Sequence, residues 1–247
     1  MVKNCLIAIL LLIVLVACRN EGFQVNIQTN GKIVLIDSTL LTNNFESYNP
    51  EYMQSGYFPV YYIGKKADTF YLKREPFKYD DYLYLDKKME IYLANENNIS
   101  IRVDTNFKTS IDLTYKHYDS NDDLAKIDSF YCNAAFPFFI ENLSDSLICV
   151  GEGKMGLHYM YLQAINAKGN WVDIEKPFKI SCGNGYQSIV LAPKQLLLGK
   201  LMRKRGEHKA ICRLKLKYRN NIIYSNIFED WIDKRMFTID FDSNYME

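Results

Sequence analysis

The stretch AICRLKLKY (residues 210–218) places Cys212, Leu214, Leu216 and Tyr218 on one side of an extended chain, with Arg213, Lys215 and Lys217 on the other. Successive side chains of a strand point to opposite faces, so this is a strand with one face on a core and one in water. Arg219-Asn220-Asn221 follows with turn chemistry, and a second apolar run begins at residue 222; together they read as a hairpin. Upstream lies PKQLLLGKLMRKRG (193–206), where Pro193 could open a helix and Gly206 close it. Leu196, Leu197, Leu198, Leu201 and Met202 form no clean helical stripe, however, and Gly199 weakens a helix further, so a strand is the expectation here too.

Farther out, the same short apolar or alternating runs recur. Strands are expected near 57–63, 69–73, 82–85, 89–93, 99–104 and 109–115, then near 136–141, 146–151, 158–166, 170–174, 178–182, 187–192, 222–229 and 236–240. VNIQTNGKIVLI (25–36) adds a hairpin turning at Asn30-Gly31, and Asn49-Pro50 could open a short helical turn over 50–54. Many strands without intervening helices predict an all-β chain of two β-sandwich-like, immunoglobulin-like parts. The acidic run 119–131 is expected to link an N-terminal β-rich domain (23–118) to a C-terminal β-sandwich domain (132–247). FPVYYIGKKADTFYL (58–72) and FPFFIENLSDSLICV (136–150) echo one another, as if each domain opened with a similar hairpin. The Cys-Trp-Cys order of true immunoglobulin domains is missing, because Trp171 precedes both Cys182 and Cys212.

The 247 residues carry a net charge of +1, with no overall bias toward nucleic acid or an acidic partner. Nineteen Tyr and fourteen Phe favour strands. Alternation puts Cys182, with Phe178 and Ile180, and Cys212 on core-facing sides, which makes Cys182–Cys212 the best candidate disulfide; two buried free thiols are the alternative. Cys132 and Cys149 remain beside them. No catalytic residue is assigned: a G-x-S-x-G elbow is missing, and His117, His158 and His208 sit singly in different segments. No metal site or cofactor is expected either. C-x-x-C and H-E-x-x-H are missing, and the calcium-like start Asp119, Asn121, Asp123 fails where Leu124 and Phe130 stand in place of Gly and Glu.

Two surface features stand out. Between Lys200 and Arg219 the chain concentrates cations around a single acid, Glu207. Arg203, Lys204, Arg205, Lys209, Arg213, Lys215 and Lys217 are thus a candidate basic surface, with a solvated hairpin face as the plainer reading. Tyr48, Tyr52, Tyr57, Tyr61, Tyr62, Tyr71, Tyr79, Tyr82 and Tyr84 crowd the N-terminal domain, as a recognition surface or as half-buried strand residues.

At the N-terminus, Lys3 precedes an uninterrupted apolar run from Leu6 to Ala17. At 1.5 Å per residue this run covers roughly 18 Å, short of a bilayer core of ~30 Å. It fits a removable signal peptide instead. Leu15-Val16-Ala17-Cys18 then resembles a bacterial lipobox, and this resemblance, confined to the leader, identifies the chain as similar to bacterial lipoproteins. The resemblance implies cleavage of residues 1–17, a lipid on Cys18 with 18–22 as a tether, and a membrane as partner through that lipid. Arg19 stands where an Asp commonly retains such proteins at the inner membrane, which points to the outer membrane if the cell envelope has two membranes and to the outer leaflet if it has one. The functional expectation is a lipid-anchored envelope protein that binds an envelope protein or polymer without catalysis, and no nucleic acid. Its rivals are an envelope-polymer hydrolase using carboxylate chemistry and an inhibitor or immunity-type lipoprotein.

Overall fold

A computed structural model describes residues 26–30, 33–38, 55–56, 58–73, 76, 90–117, 126–153, 157–177, 187–204 and 206–238, some of them by backbone alone. The chain is all-β: no α-helix occurs among the described residues. No helix among them is long and apolar enough to cross a membrane.

The central sheet runs in the order β4 (Val60–Lys65), β15 (Gln195–Met202), β9 (Lys126–Asn142) and β7 (Ile99–Val103), with β8 (Thr109–His117) continuing along the same edge of β9. Facing it is a front sheet in the order β12 (Trp171–Asp173), β11 (Met160–Ile165), β16 (His208–Tyr218) and β17 (Asn221–Tyr224), with β18 (Phe228–Ile232) also paired to β16. Between them lies one core that includes Val60, Phe138, Leu197 and Leu201 from the central sheet and Met160, Leu162, Leu214 and Leu216 from the front sheet. Burying a Leu or Phe side chain of this kind contributes about 1.5–3 kcal/mol, so this layer dominates cohesion.

A third layer covers the other face of the central sheet. β1 (Asn26–Asn30) and β2 (Ile33–Asp37) form the expected hairpin, with Asn30 opposite Ile33, and β2 pairs in parallel with β5 (Thr69–Leu72). Leu35, Phe70 and Leu72 from these strands pack on Leu196, Leu198 and Phe139 of the central sheet. A smaller sheet, β14 (Gln187–Leu191), β10 (Leu147–Gly153) and β6 (Ile91–Leu93), adds Ile148, Val150, Ile189 and Leu191 to the main core. The two-residue strands β3 (Ser55–Gly56) and β13 (Lys176–Pro177) pair in parallel.

The layering explains why QLLLGKLM reads as a run rather than an alternation. Both faces of β15 are covered, so Leu197 and Leu201 enter the front core while Leu196 and Leu198 enter the rear one. Gly199 is required by close approach: a Cβ there would stand 2.2 Å from the Phe138 ring. Lys200, on the rear side, is sealed at 0% exposure; its Nζ meets Asp37 at 2.9 Å, donates to the Ser110 carbonyl at 2.8 Å and lies 4.2 Å from the centroid of the Tyr61 ring. This pair ties β2 to the central sheet.

Several expectations require correction. Residues 126–131 belong to β9 and pair with β8, so the acidic run does not separate a pair of domains: strands from both sides of it share the central sheet and the main core. The echoing segments 58–72 and 136–150 are not hairpins. β4 and β5 lie in different sheets, as do β9 and β10, so each segment is a corner where the chain changes sheet. The run 222–229 breaks into β17 and β18 because Asn226 turns across to the central sheet, accepting from Val103 N–H (2.8 Å) and donating to its C=O (3.1 Å). Lys234–Thr238 is a 3-10 helix where a strand was expected. The expected elements at 50–54, 82–85 and 178–182 lie outside the described residues.

Candidate functional site

Strand β16 alternates as its sequence requires: Ala210, Cys212, Leu214, Leu216 and Tyr218 are buried, while Lys209, Ile211, Arg213, Lys215 and Lys217 point away from the core. Its neighbours bring their own outward residues into line. Across β11, Tyr161 stands opposite Lys215 and Gln163 opposite Arg213; β12 adds Trp171 opposite Ile165 and Asp173 opposite Gln163. On the other edge, Tyr224 stands opposite Lys215, Ile222 opposite Lys217 and Trp231 opposite Lys209.

At the centre of this face the Arg213 guanidinium lies between two rings, 4.1 Å from the centroid of Trp171 and 3.7 Å from that of Tyr224. Its Nε donates to Gln163 Oε1 at 2.8 Å, and Gln163 Nε2 donates to Asp173 Oδ1 at 2.8 Å. Lys215 closes the network, with its Nζ on Asp173 Oδ2 and 4.5 Å from the centroid of the Tyr161 ring. Burial, with the Asp173 charge nearby, pushes the Tyr161 phenol above its usual range. The guanidinium is therefore held by contact with two rings and by its own Nε–H on Gln163. Among the described residues no carboxylate pairs with Arg213 or Lys217. Beside the stack, Ile211, Ile222, Tyr224 and Trp231 are each 44–47% exposed.

Only some of the expected basic surface is found here. Arg213, Lys215 and Lys217 share the front face, and Lys209 joins them, paired to Glu229 at 2.8 Å in the open. Lys204 does not: it is buried on Glu175, and burial raises that carboxyl against the pull of the ammonium. Among the described residues Glu175 Oε2 has no hydrogen-bond partner. Arg203 is half-buried, its guanidinium 2.9 Å from Asp230 and 4.6 Å from the centroid of the Phe136 ring. Burial likewise raises Asp230 despite Arg203. The reason is positional: Arg203 and Lys204 leave the end of the doubly covered β15, whereas 209–217 lie on a strand covered on one face. Arg205 lies outside the described residues.

Cys212, expected to pair with Cys182, is a free thiol sealed in the main core, and burial chiefly pushes its pKa up to about 12. Cys182 and Cys18 lie outside the described residues. Cys149 is also free and buried, 3.6 Å from the Tyr218 hydroxyl. Of the N-terminal tyrosines, Tyr61 is buried beside Lys200, Tyr62 is partly buried and Tyr71 is exposed; the others lie outside the described residues. Among the described residues no group of three or more His, Cys, Asp or Glu could hold a metal ion.

Sequence reasoning passed over Trp171, Gln163, Asp173, Ile222, Tyr224 and Trp231 as members of one face. The signal was present for some of them: FEDWI and NIIY alternate, and a hairpin at 219–221 places Ile222 and Tyr224 beside the outward lysines. Gln163 was hidden, because MYLQAI is apolar on both faces apart from this one residue. Protein-family models, curated proteins and solved structures offer no match to this chain.

Proposed function

We propose that the chain is a lipid-anchored cell-envelope protein that works as a binding module rather than an enzyme, and that it engages its partner with the outward face of β11, β12, β16, β17 and β18. The anchor rests on the Lys3 start, the short apolar run and Leu15-Val16-Ala17-Cys18. Lipid on Cys18 would hold the body at a membrane, since each buried methylene contributes about 0.8 kcal/mol and stable attachment takes more than one chain.

The observation that carries the binding reading is the Trp171–Arg213–Tyr224 stack, fixed on sheet strands and bordered by exposed Ile211, Ile222 and Trp231. Tyr, Trp and Arg are the residues that concentrate binding energy in interfaces, and a site built on strands loses little order when occupied. Two measurements test the proposal. Labelling cells with an alkynyl fatty acid tags the wild-type chain and fails on Cys18→Ser; label retained by the variant overturns the anchor. A photo-crosslinking side chain at position 224 captures a macromolecule in intact cells, whereas one at the exposed Tyr71 does not. Equal capture at both positions, or none at 224, overturns the assignment of the face.

A further inference from the structure

The chemistry of that face also constrains what it binds. Its outward cations, Lys209, Arg213, Lys215 and Lys217, outnumber its carboxylates, Asp173 and Glu229. The acids are spoken for by Lys215 and Lys209, which leaves Arg213 and Lys217 to an outside charge. Arg213 is the better prepared of the two. Two rings hold its position and Gln163 engages Nε, while the Nη donors, coplanar as in any guanidinium, keep the fork that makes a two-point contact to a carboxylate.

The surroundings choose between carriers of that carboxylate. A sugar chain would stack on the rings and need free hydroxyl-seeking groups around them; here Gln163 and Asp173 are engaged by Arg213 and Lys215, and Ile211 and Ile222 stand exposed instead. Branched aliphatic side chains together with Trp, Tyr and Arg are what a protein partner packs against. A membrane surface would be met by many mobile lysines, yet Lys215 is held on Asp173 and Lys209 stands beside the exposed carboxylate of Glu229, which an anionic surface repels.

We infer that the front face docks an acidic segment of a protein partner, one Asp or Glu seating on Arg213 between Trp171 and Tyr224, with flanking apolar side chains covering Ile211, Ile222 and Trp231. This inference rests on the binding-module reading above and adds the chemistry of the ligand. Lys217 supplies a second, less oriented attraction at the Ile222 end of the same strand.

The test uses the full chain in detergent, panned against a random displayed peptide library. Oligomers of a uronic acid and vesicles containing anionic phospholipid serve as rival probes. The expected outcome is enrichment of peptides joining Asp or Glu to apolar residues. Arg213→Ala should weaken those peptides about tenfold or more, and Arg213→Lys should weaken them less completely because a point charge replaces the fork. Ile222→Asp should also weaken them, by placing a like charge in the socket, so the result does not hang on one variant. Unfolding midpoints of all three variants exclude a misfolded chain as the cause. Enrichment of neutral or basic peptides, equal affinity for Arg213→Ala, or retention of the uronate oligomers or vesicles in place of peptides would overturn the inference. If crosslinking at position 224 still captures a partner in cells, the face stands and only its acidic chemistry falls. If crosslinking fails as well, both readings fall together.

Discussion

One run of cations is treated in two opposite ways. Lys200 lies within β15 and Lys204 just beyond it, buried on Asp37 and Glu175. Lys209, Arg213, Lys215 and Lys217, a few residues later on β16, face outward among rings. The difference is one of coverage. β15 has a packed layer on each side, so any charged side chain it carries must be neutralised inside; β16 has a layer on one side only, so alternation sends its cations outward. Charge counted along a chain therefore locates a surface only after the number of packed faces is known.

The comparison can be broken most forcefully at Lys200. Lys200→Ala leaves Asp37 buried without this partner and should cost about 3–5 kcal/mol in urea unfolding, whereas Lys200→Met with Asp37→Leu should recover most of it. Gly199→Ala comes next: its methyl meets the Phe138 ring, and overpacking of this kind costs about 1–3 kcal/mol. On the front face, Arg213→Ala loses its ring contacts and leaves buried Gln163 without this donor, so it should cost about 1–3 kcal/mol of stability while weakening the proposed acidic peptide contact about tenfold or more.

Titration sharpens the same contrast. Glu175 and Asp230, raised by burial, hold protons in the folded chain at pH values where unfolded carboxylates have released them. Their contribution is present below the ordinary carboxylate range and is lost as pH rises from that range through the raised values, so the unfolding midpoint should fall with rising pH across that window. Glu175→Gln should flatten this portion of the slope. Half-buried Asp233 titrates in the opposite sense, because its hydrogen bonds to Arg235 lower its pKa; its contribution is lost as pH falls. The smallest effect belongs to the open Lys209–Glu229 pair, where Lys209→Ala should stay within about 0.5 kcal/mol.

Much of the fold was legible where one face is wet. The alternation of AICRLKLKY gave β16 with its faces correctly assigned, and the Asn30-Gly31 signal marked the β1–β2 hairpin. Layering was not legible, because most of β15 and residues 136–140 of β9 are apolar on both sides and period-two reasoning cannot tell which sheet each side meets. The break between β7 and β8 did leave a trace in Pro137, which has no N–H to offer a neighbouring strand. The interruption at Asp104–Lys108 falls opposite Phe136 and Pro137, where the Pro137 carbonyl accepts from Asp104 N–H at 3.0 Å. Half of the candidate site was visible as a run of cations. The other half, Trp171 with Gln163 and Asp173, reaches Arg213 only through the pairing of β11 with β16, a register that no local pattern states.

The division of the cation run is tested most directly by modifying lysine amines on the folded full chain with a small acylating reagent and reading each site by mass spectrometry. Lys209 and Lys217 should label rapidly in the native state, while Lys200 and Lys204 should stay unlabelled until urea unfolds the chain. Labelling of Lys200 or Lys204 at the rate of Lys209 under native conditions would contradict the layered core and, with it, the separation of a buried ionic set from an outward cationic face.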